Sequence, residues 1–347
     1  MKISQNNLSL VSIIIPCRNE EKFIEKCLDS LISQDYSKEK MEILVVDGMS
    51  EDRTKEIVKE YSGKYPFIKL LDNSKKFTPF GMNAGIKNSR GDVITMINAH
   101  SILDKEFIKL NVDYLEKIKQ ADAVGGKLQT INESQGIISQ AIPRAADSVF
   151  GTGGKRYRTR QKEGFLKDTL PYCAYRREVF SKIGCIDEEL IRDQDEEFNY
   201  RLIKGGGKIY FTPKIKSYLY IRPSISKLWR QHFQYGYWKV KVLEKIGIKF
   251  IQRQVVPSLF ILSLSLSGIL GIFLKSFFYL FLTIIGSYLV LDIIFSLNLS
   301  LKNGWKYFFV LPIIFAIIHF SYGFGFLKGV VDFIIFKRKI INVPLTR

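Results

Sequence analysis

From Val255 to Leu274 the chain runs twenty residues without one charged side chain. As a helix rising ~1.5 Å per residue, such a run reaches across a hydrocarbon core of ~30 Å. Ser276 to Leu297 is a second apolar run, broken only by Asp292, and Tyr307 to Leu327 a third, containing Pro312 and His319. One such run can be a buried core helix. Three in one region argue for an α-helical transmembrane region over 251–347, with about three spans and a basic tail. GVVDFIIF is too short to cross and is expected to lie at an interface beside Lys337-Arg338-Lys339.

Charge collects upstream of this region, and the formal net charge of +18 asks for an anionic partner. The aromatics lie mainly in apolar runs, not among basic residues, so a nucleic-acid partner is not expected. Anionic lipid headgroups and phosphorylated substrates account for the charge. Cys17, Cys27, Cys173 and Cys185 form no C-x-x-C pair and read as buried free thiols of a reducing compartment. The stretch Met1–Leu10 is polar and the first apolar run only a strand long, so no secretory signal is expected.

LVSIIIPCRNEEKFIEKCLDSLISQ begins with a strand, Leu10 to Ile15, ended by Pro16. A helix follows with Phe23, Ile24, Cys27, Leu28, Leu31 and Ile32 at helical spacing. MEILVVDGMSEDRTKEIVKEY repeats the pattern, with a strand Glu42–Val46, a turn at Asp47-Gly48 and a helix from about Asp52. FIKLLDN, a helix near Pro79–Asn88 and a strand from Val93 continue it. The alternation predicts an α/β domain with a mainly parallel, Rossmann-like sheet and helices on both faces. Its extent is 1–225, followed by an amphipathic interfacial region over 226–250. Ligands of such sheets bind at the carboxyl ends of strands, where Pro16, Arg18, Glu20, Asp47 and Asn98-Ala99-His100 all fall.

Taken in order, IIIPCRNEEKFIEKCLDSLISQ, ILVVDGMSEDRT, FTPFGMNAGIKNSRGDVITMINAH, RDQDEEFNYRLIKGGGKI and LWRQHFQYGYWKVK resemble a family 2 glycosyltransferase with the GT-A fold. Within that family the chain looks most like the succinoglycan-type, membrane-associated sugar transferases. The resemblance implies an inverting transferase that moves a sugar from a nucleotide sugar, expected to be a UDP-sugar, to a polyprenyl-diphosphate-linked glycan in exopolysaccharide synthesis. It also implies a divalent cation, Mn2+ or Mg2+, and a multi-pass plasma-membrane protein with its catalytic domain in the cytoplasm.

By the same resemblance Asp47 contacts the nucleotide base, and Pro16, Arg18 and Glu20 form the first nucleotide-contacting loop. From the residues alone, Asp47 can equally be a turn carboxylate and Glu20 a solvated first-turn acid. Asp195 aligns with the aspartate of the family's Glu-Asp motif and becomes the base that deprotonates the acceptor, with Gln194 in place of the glutamate and Asp193 as its rival. Asn98 and His100 occupy the place of the metal-binding Asp-x-Asp. Neither brings negative charge, so the cation is expected to be weakly held. Gln234 to Trp238 resembles a Gln-x-x-Arg-Trp signature with Tyr237 at the arginine, which puts Gln234 and Trp238 at the acceptor or diphosphate. The competing reading is a headgroup-level helix displaying Trp229, Phe233, Tyr237 and Trp238. Arg156 and Arg158, in the basic stretch Gly153–Gly164, can close over a diphosphate or simply face solvent or lipid. Two other function classes stay open: part of a processive polysaccharide synthase, and a catalytically inactive nucleotide-sugar or lipid-glycan binding subunit.

Overall fold

Ile13 and Ile15 point to one face of the first strand and Ile14 to the other, and all three are fully buried. In the computed structural model, which describes residues 9–153, 156–221, 224–247 and 252–338, this strand is central. The chain runs β1 (Val11–Cys17), α1 (Ile24–Ile32), β2 (Met41–Asp47), α2 (Thr54–Lys64), β3 (Ile68–Asp72), α3 (Thr78–Asn88) and β4 (Val93–Met96). β1 continues through Pro16 instead of stopping before it. There follow β5 (Ser101–Leu103), α4 (Phe107–Lys117), β6 (Ala123–Ile131), α5 (Ile137–Asp147), α6 (Val149–Thr152) and α7 (Arg156–Thr159). β7 (Gly164–Leu166), β8 (Ala174–Arg176), α8 (Glu178–Ile183), α9 (Gln194–Lys204) and β9 (Ile209–Tyr220) complete the first half.

Among the described residues one sheet runs in the order β3-β2-β1-β4-β8-β6-β9-β5, with β7 beside β9. Helices cover both of its faces, as the alternation predicts. Ile13, Ile15 and Val45 pack with Ile24, Leu28, Val58 and Phe107, while Ile14, Leu44 and Val46 pack with Met82, Ile86, Phe198 and Leu202. The expected mainly parallel sheet is corrected to a mixed one. β1, β2, β3 and β4 are parallel, but β8 is antiparallel to β4 and β6, and β5 and β7 are antiparallel to β9. A parallel neighbour needs a crossover of about a dozen residues. Only a short turn separates β4 from β5, so the parallel progression ends there.

Glu42 is one of the two buried acids of β2, with Asp47. It accepts from Ser12 Oγ at 2.6 Å, Arg90 N at 2.5 Å and Arg90 Nε at 3.2 Å. Burial alone would raise its pKa, but the Ser12 and Arg90 hydrogen bonds outweigh it and hold the carboxyl below its ordinary value of 4.5. The unfolded chain therefore takes up this proton first. The stabilisation is complete above the ordinary value and disappears as pH falls through the folded one. Chemical denaturation should show Glu42→Gln well below wild type at neutral pH, with the gap closing in acid; a gap independent of pH would mean the charge contributes nothing.

The described chain divides into two units. The first takes the chain up to Ile131 with Tyr157–Tyr220; the second takes Asn132–Arg156 with the chain from Ile221 onward. In the second, α10 (Ile225–Ile246) lies along α13 (Leu311–Gly329), joined by α11 (Val256–Gly271) and α12 (Lys275–Asn303). Ala141, Ile142 and Ala145 of α5 pack on Leu311, Ile314 and Phe315, and His319 Nε2 donates to the Phe150 carbonyl at 2.7 Å. Those contacts bring 132–156 into this unit.

Among the described residues two helical stretches, Lys275–Asn303 and Leu311–Ile335, are long and apolar enough to cross a membrane. The first expected span becomes a helix of only 16 residues, beginning at Val256 beside Pro257 and ending at Gly271. GVVDFIIF is not a separate interfacial piece: Val330–Ile335 extends α13 as a π-helical turn. Lys339 lies outside the described residues. Cys17, Cys27 and Cys173 are buried free thiols, and Cys185 is exposed.

Candidate active site

In the β1–β2 register Cys17 stands opposite Asp47, so both strands end at the same level. Ile97, just past β4, donates its N–H to the Ile14 carbonyl at 3.0 Å, which brings the Asn98-Ala99-His100 turn to that same edge of the sheet. This is the carboxyl edge where parallel strands offer a crevice.

Asp47 is fully buried. Its Oδ2 accepts from Ser50 N at 3.0 Å and its Oδ1 from Ser50 Oγ at 2.5 Å. The carboxylate thus closes its own turn, and its remaining lone pairs are what a nucleotide base can use. The loops after β1 and β2 are laced together. Asn19 N donates to Ser50 Oγ at 2.9 Å, Glu51 N to Asn19 Oδ1 at 2.9 Å, and Glu20 N to Thr54 Oγ1 at 2.7 Å. Asn19 and Met49 take left-handed backbone, with φ of 55° and 58°. Non-glycine residues held so cost of order 1 kcal/mol and collect at functional sites. Arg18 meets Glu51 at 3.3 Å on the surface, a pair of small energetic weight.

His100 Nδ1 lies 3.1 Å from Glu20 Oε1. Beside it, burial pushes the Cys27 thiol up to about 12, and its Sγ lies 3.9 Å from the Asn98 carbonyl. Tyr172, another left-handed residue at φ 54°, closes the other side. Its hydroxyl is 2.6 Å from Ser101 Oγ; burial raises its pKa, and hydrogen bonds with Ser101 and Asn98 oppose that. Among the described residues no group of three or more His, Cys, Asp or Glu side chains is placed to hold a metal. One imidazole nitrogen and one amide oxygen fit a cation that brings its own diphosphate and water ligands, not a self-sufficient protein cage.

Asp195 sits exposed in the first turn of α9, whose buried stripe is Phe198 and Leu202. Of its acidic neighbours, Glu197 is buried and accepts from Arg201 Nε at 2.8 Å and Nη2 at 2.9 Å, so it is committed to structure. Asp193, at φ 59°, occupies the N-cap position with left-handed backbone. Burial pushes the Cys173 thiol up; a hydrogen bond with Tyr175 opposes this, and the negative charge of Asp195 adds to it. Ala174 pairs with Thr95 of β4, so Cys173 and Tyr172 stand at the end of β4 beside Asn98.

Gln234 and Trp238 belong to the second unit, where both are buried. The Trp238 ring packs against Tyr237 at 5.6 Å and Phe333 at 5.7 Å. Tyr237, in the arginine position, donates its hydroxyl to Asp332 at 3.1 Å, and Lys328 pairs with the same carboxylate at 2.8 Å. The helix is packed along α13 and keeps Tyr237 and Trp238 inside, with Trp229 exposed. Arg158 is half-buried over the Tyr157 ring; the Arg156 side chain and Lys155 lie outside the described residues. Ser50, Thr54 and Tyr172 are site-edge residues that the sequence reading missed. DGMSEDRT carried the only signal, a turn-forming acid followed three residues later by serine.

Removing the Asp47 carboxylate should weaken nucleotide binding by about 1.5–3 kcal/mol, the range for a hydrogen bond to a charged group. It should also loosen the turn, so Ser50→Ala, which loses only the turn contact, is the control. Calorimetry giving equal nucleotide affinity for Asp47→Ala and Ser50→Ala would assign Asp47 to the turn alone.

The model of glycosyl transferase family 2 matches residues 12–184. The dolichyl N-acetyl-alpha-D-glucosaminyl phosphate 3-beta-D-2,3-diacetamido-2,3-dideoxy-beta-D-glucuronosyltransferase of Methanococcus voltae is 33% identical over 332 residues, 93% of this chain and 98% of that protein. The succinoglycan biosynthesis protein ExoA of Rhizobium meliloti is 28% identical over 255 residues, 71% of this chain and 72% of that one. Among solved structures, the mannosyltransferase PcManGT from Pyrobaculum calidifontis, in complex with GDP-Man and Mn2+, superposes with a TM-score of 0.58 at 15% identity, over 91% of this chain and 88% of that one. At that identity the likeness speaks for the GT-A-like fold.

Proposed function

The chain belongs to glycosyl transferase family 2, and from that premise we propose that it transfers a sugar, with inversion, from a nucleotide sugar to a lipid-linked phosphate or diphosphate glycan at the plasma membrane. The observation that carries this reading is the meeting of Asp47 and the Glu20–His100 pair at the carboxyl edge of the sheet.

In this reading Asp47 and the loop through Pro16 and Arg18 hold the nucleotide, with the Glu20 carboxylate turned to His100. Asp195, exposed at a helix start, takes the proton of the acceptor hydroxyl as that oxygen attacks the anomeric carbon from the face opposite the diphosphate. A divalent cation, Mn2+ or Mg2+, would supply charge neutralisation on the departing diphosphate, with Asn98 and His100 as its protein contacts. The basic stretch of sequence that carries Arg156 and Arg158 would add positive charge toward the departing diphosphate.

The lipid-linked acceptor is supported by the Methanococcus relative, whose name gives a dolichyl phosphate-linked sugar as its acceptor. Similarity to the succinoglycan protein favours a role in exopolysaccharide or another surface glycan. Apolar side chains on the outside of α12, among them Leu289, Val290 and Ile293, suit a lipid-facing helix. We read the second unit as a multi-pass membrane region with the sheet-bearing unit in the cytoplasm, where excess Lys and Arg are retained.

Mass spectrometry of the purified full chain, supplied with UDP- and GDP-sugars and with short polyprenyl-phosphate and polyprenyl-diphosphate glycans, tests the proposal. A lipid product longer by one sugar, lost in chelator, is expected. Nucleotide-sugar binding with no product from any lipid acceptor would favour a binding subunit instead.

A further inference from the structure

We propose that Glu20 is a positioning residue for His100, fixing the imidazole so that Nε2 alone presents its lone pair to the cation of the donor diphosphate; this rests on the family 2 reading above.

Both partners are held from the backbone outward. Glu20 donates its N–H to Thr54 Oγ1 at 2.7 Å, and its carbonyl accepts from Phe23 N and Ile24 N at 2.9 Å, starting α1. The His100 carbonyl accepts from Tyr220 N at 2.9 Å, which pins the turn between β4 and β5 against β9. With Nδ1 at 3.1 Å from Oε1, and side chains only 33% and 15% exposed, the ring has one orientation set by the carboxylate. A carboxylate accepts and does not donate, so the proton of the neutral ring sits on Nδ1. Nε2 is then the free ligand atom. Carboxylate support of this kind orients a metal-binding histidine and makes its other nitrogen a better donor.

The pairing also explains how a site with Asn98 and His100 in place of two carboxylates can work. Negative charge is missing among the side chains that would touch the cation. It is supplied from the β1 loop, one residue further back, acting through the imidazole.

The test is Mn2+ titration of the full chain followed by electron paramagnetic resonance, with UDP present and no acceptor, so that no turnover is read. Glu20→Ala should weaken Mn2+ by about 10–100-fold, the range for loss of such a partner. Glu20→Gln, whose amide oxygen still accepts from Nδ1–H but carries no charge, should fall between. In a His100→Ala background Glu20→Ala should add nothing further. The chain has three histidines, so 15N-imidazole labelling reads the tautomer directly, and His100 should leave the Nδ1–H form only in Glu20→Ala. Unchanged Mn2+ affinity and tautomer in a folded Glu20→Ala would overturn the inference while leaving the transferase reading intact. A loss of metal-free UDP binding equal to the Mn2+ effect would also overturn it, making Glu20 a nucleotide contact. Absence of any Mn2+ binding in the wild type would remove the cation from the mechanism, and this inference with it.

Discussion

Asp195→Asn should lower sugar transfer by about 10²–10⁴-fold, the usual loss for a general base, while the nucleotide sugar binds nearly as before. The proton of the acceptor hydroxyl moves only as the new bond forms, so the carboxylate contributes to the transition state and little to the bound donor. Among the acids of this helix start Asp195 is the exposed one. Glu197, two positions on, is buried and clamped by Arg201. Its removal should therefore show as lost stability, with the transfer rate falling only as folded protein does. Asp193, at the N-cap position with left-handed backbone, is the rival the sequence reading named. Single-turnover kinetics separate the three. If Asp195→Asn keeps turnover within about tenfold of wild type and Asp193→Asn does not, the base is Asp193.

How far the sequence could be read depended on the range of the interactions involved. The first four strands and three helices were legible because each follows from periodicity within about a dozen residues, and β1 and β2 bury both faces as their apolar runs require. β7 and β8, of three residues each, carry no period that could announce them. The antiparallel half of the sheet was lost with them. Strand ends located Asp47 and the Asn98–His100 turn correctly at one edge. The contact between Glu20 and His100 spans eighty positions of chain and appears only once the sheet is assembled.

In the second unit the charge-free run of twenty residues overstated its helix, because Pro257 fits a helix start and the helical path stops at Gly271. The short amphipathic stretch 132–156, interrupted by Pro143, did not reveal that it belongs beside α13. Nor did replacement of the signature arginine by Tyr237 reveal its destination. That phenol joins Asp332, ninety-five residues further along, and the motif's tyrosine and tryptophan become packing between α10 and the end of α13.

Gly325→Ala should destabilise this helix crossing by about 3 kcal/mol or more, the upper part of the range for overpacking. A Cβ at Gly325 would stand 2.0 Å from the Phe233 carbonyl oxygen, and one at Gly236 2.0 Å from that of Tyr322. Gly329, four residues on, has the Tyr237 carbonyl oxygen at 2.6 Å. These neighbours are backbone, so no rotamer change relieves the clash; the two helices must move apart. Spacing small residues four apart lets helix backbones approach this closely, and dispersion between them is much of what holds apolar helices together in lipid. Separation would also pull on the Tyr237–Asp332 hydrogen bond. Gly286 on α12 is the control, since nothing lies within 4 Å of its added Cβ and alanine is the better helix former there. Thermal unfolding in detergent should rank Gly286→Ala at or above wild type and both Gly236→Ala and Gly325→Ala far below it. Equal melting of all four proteins would mean that α10 and α13 do not touch through their glycines.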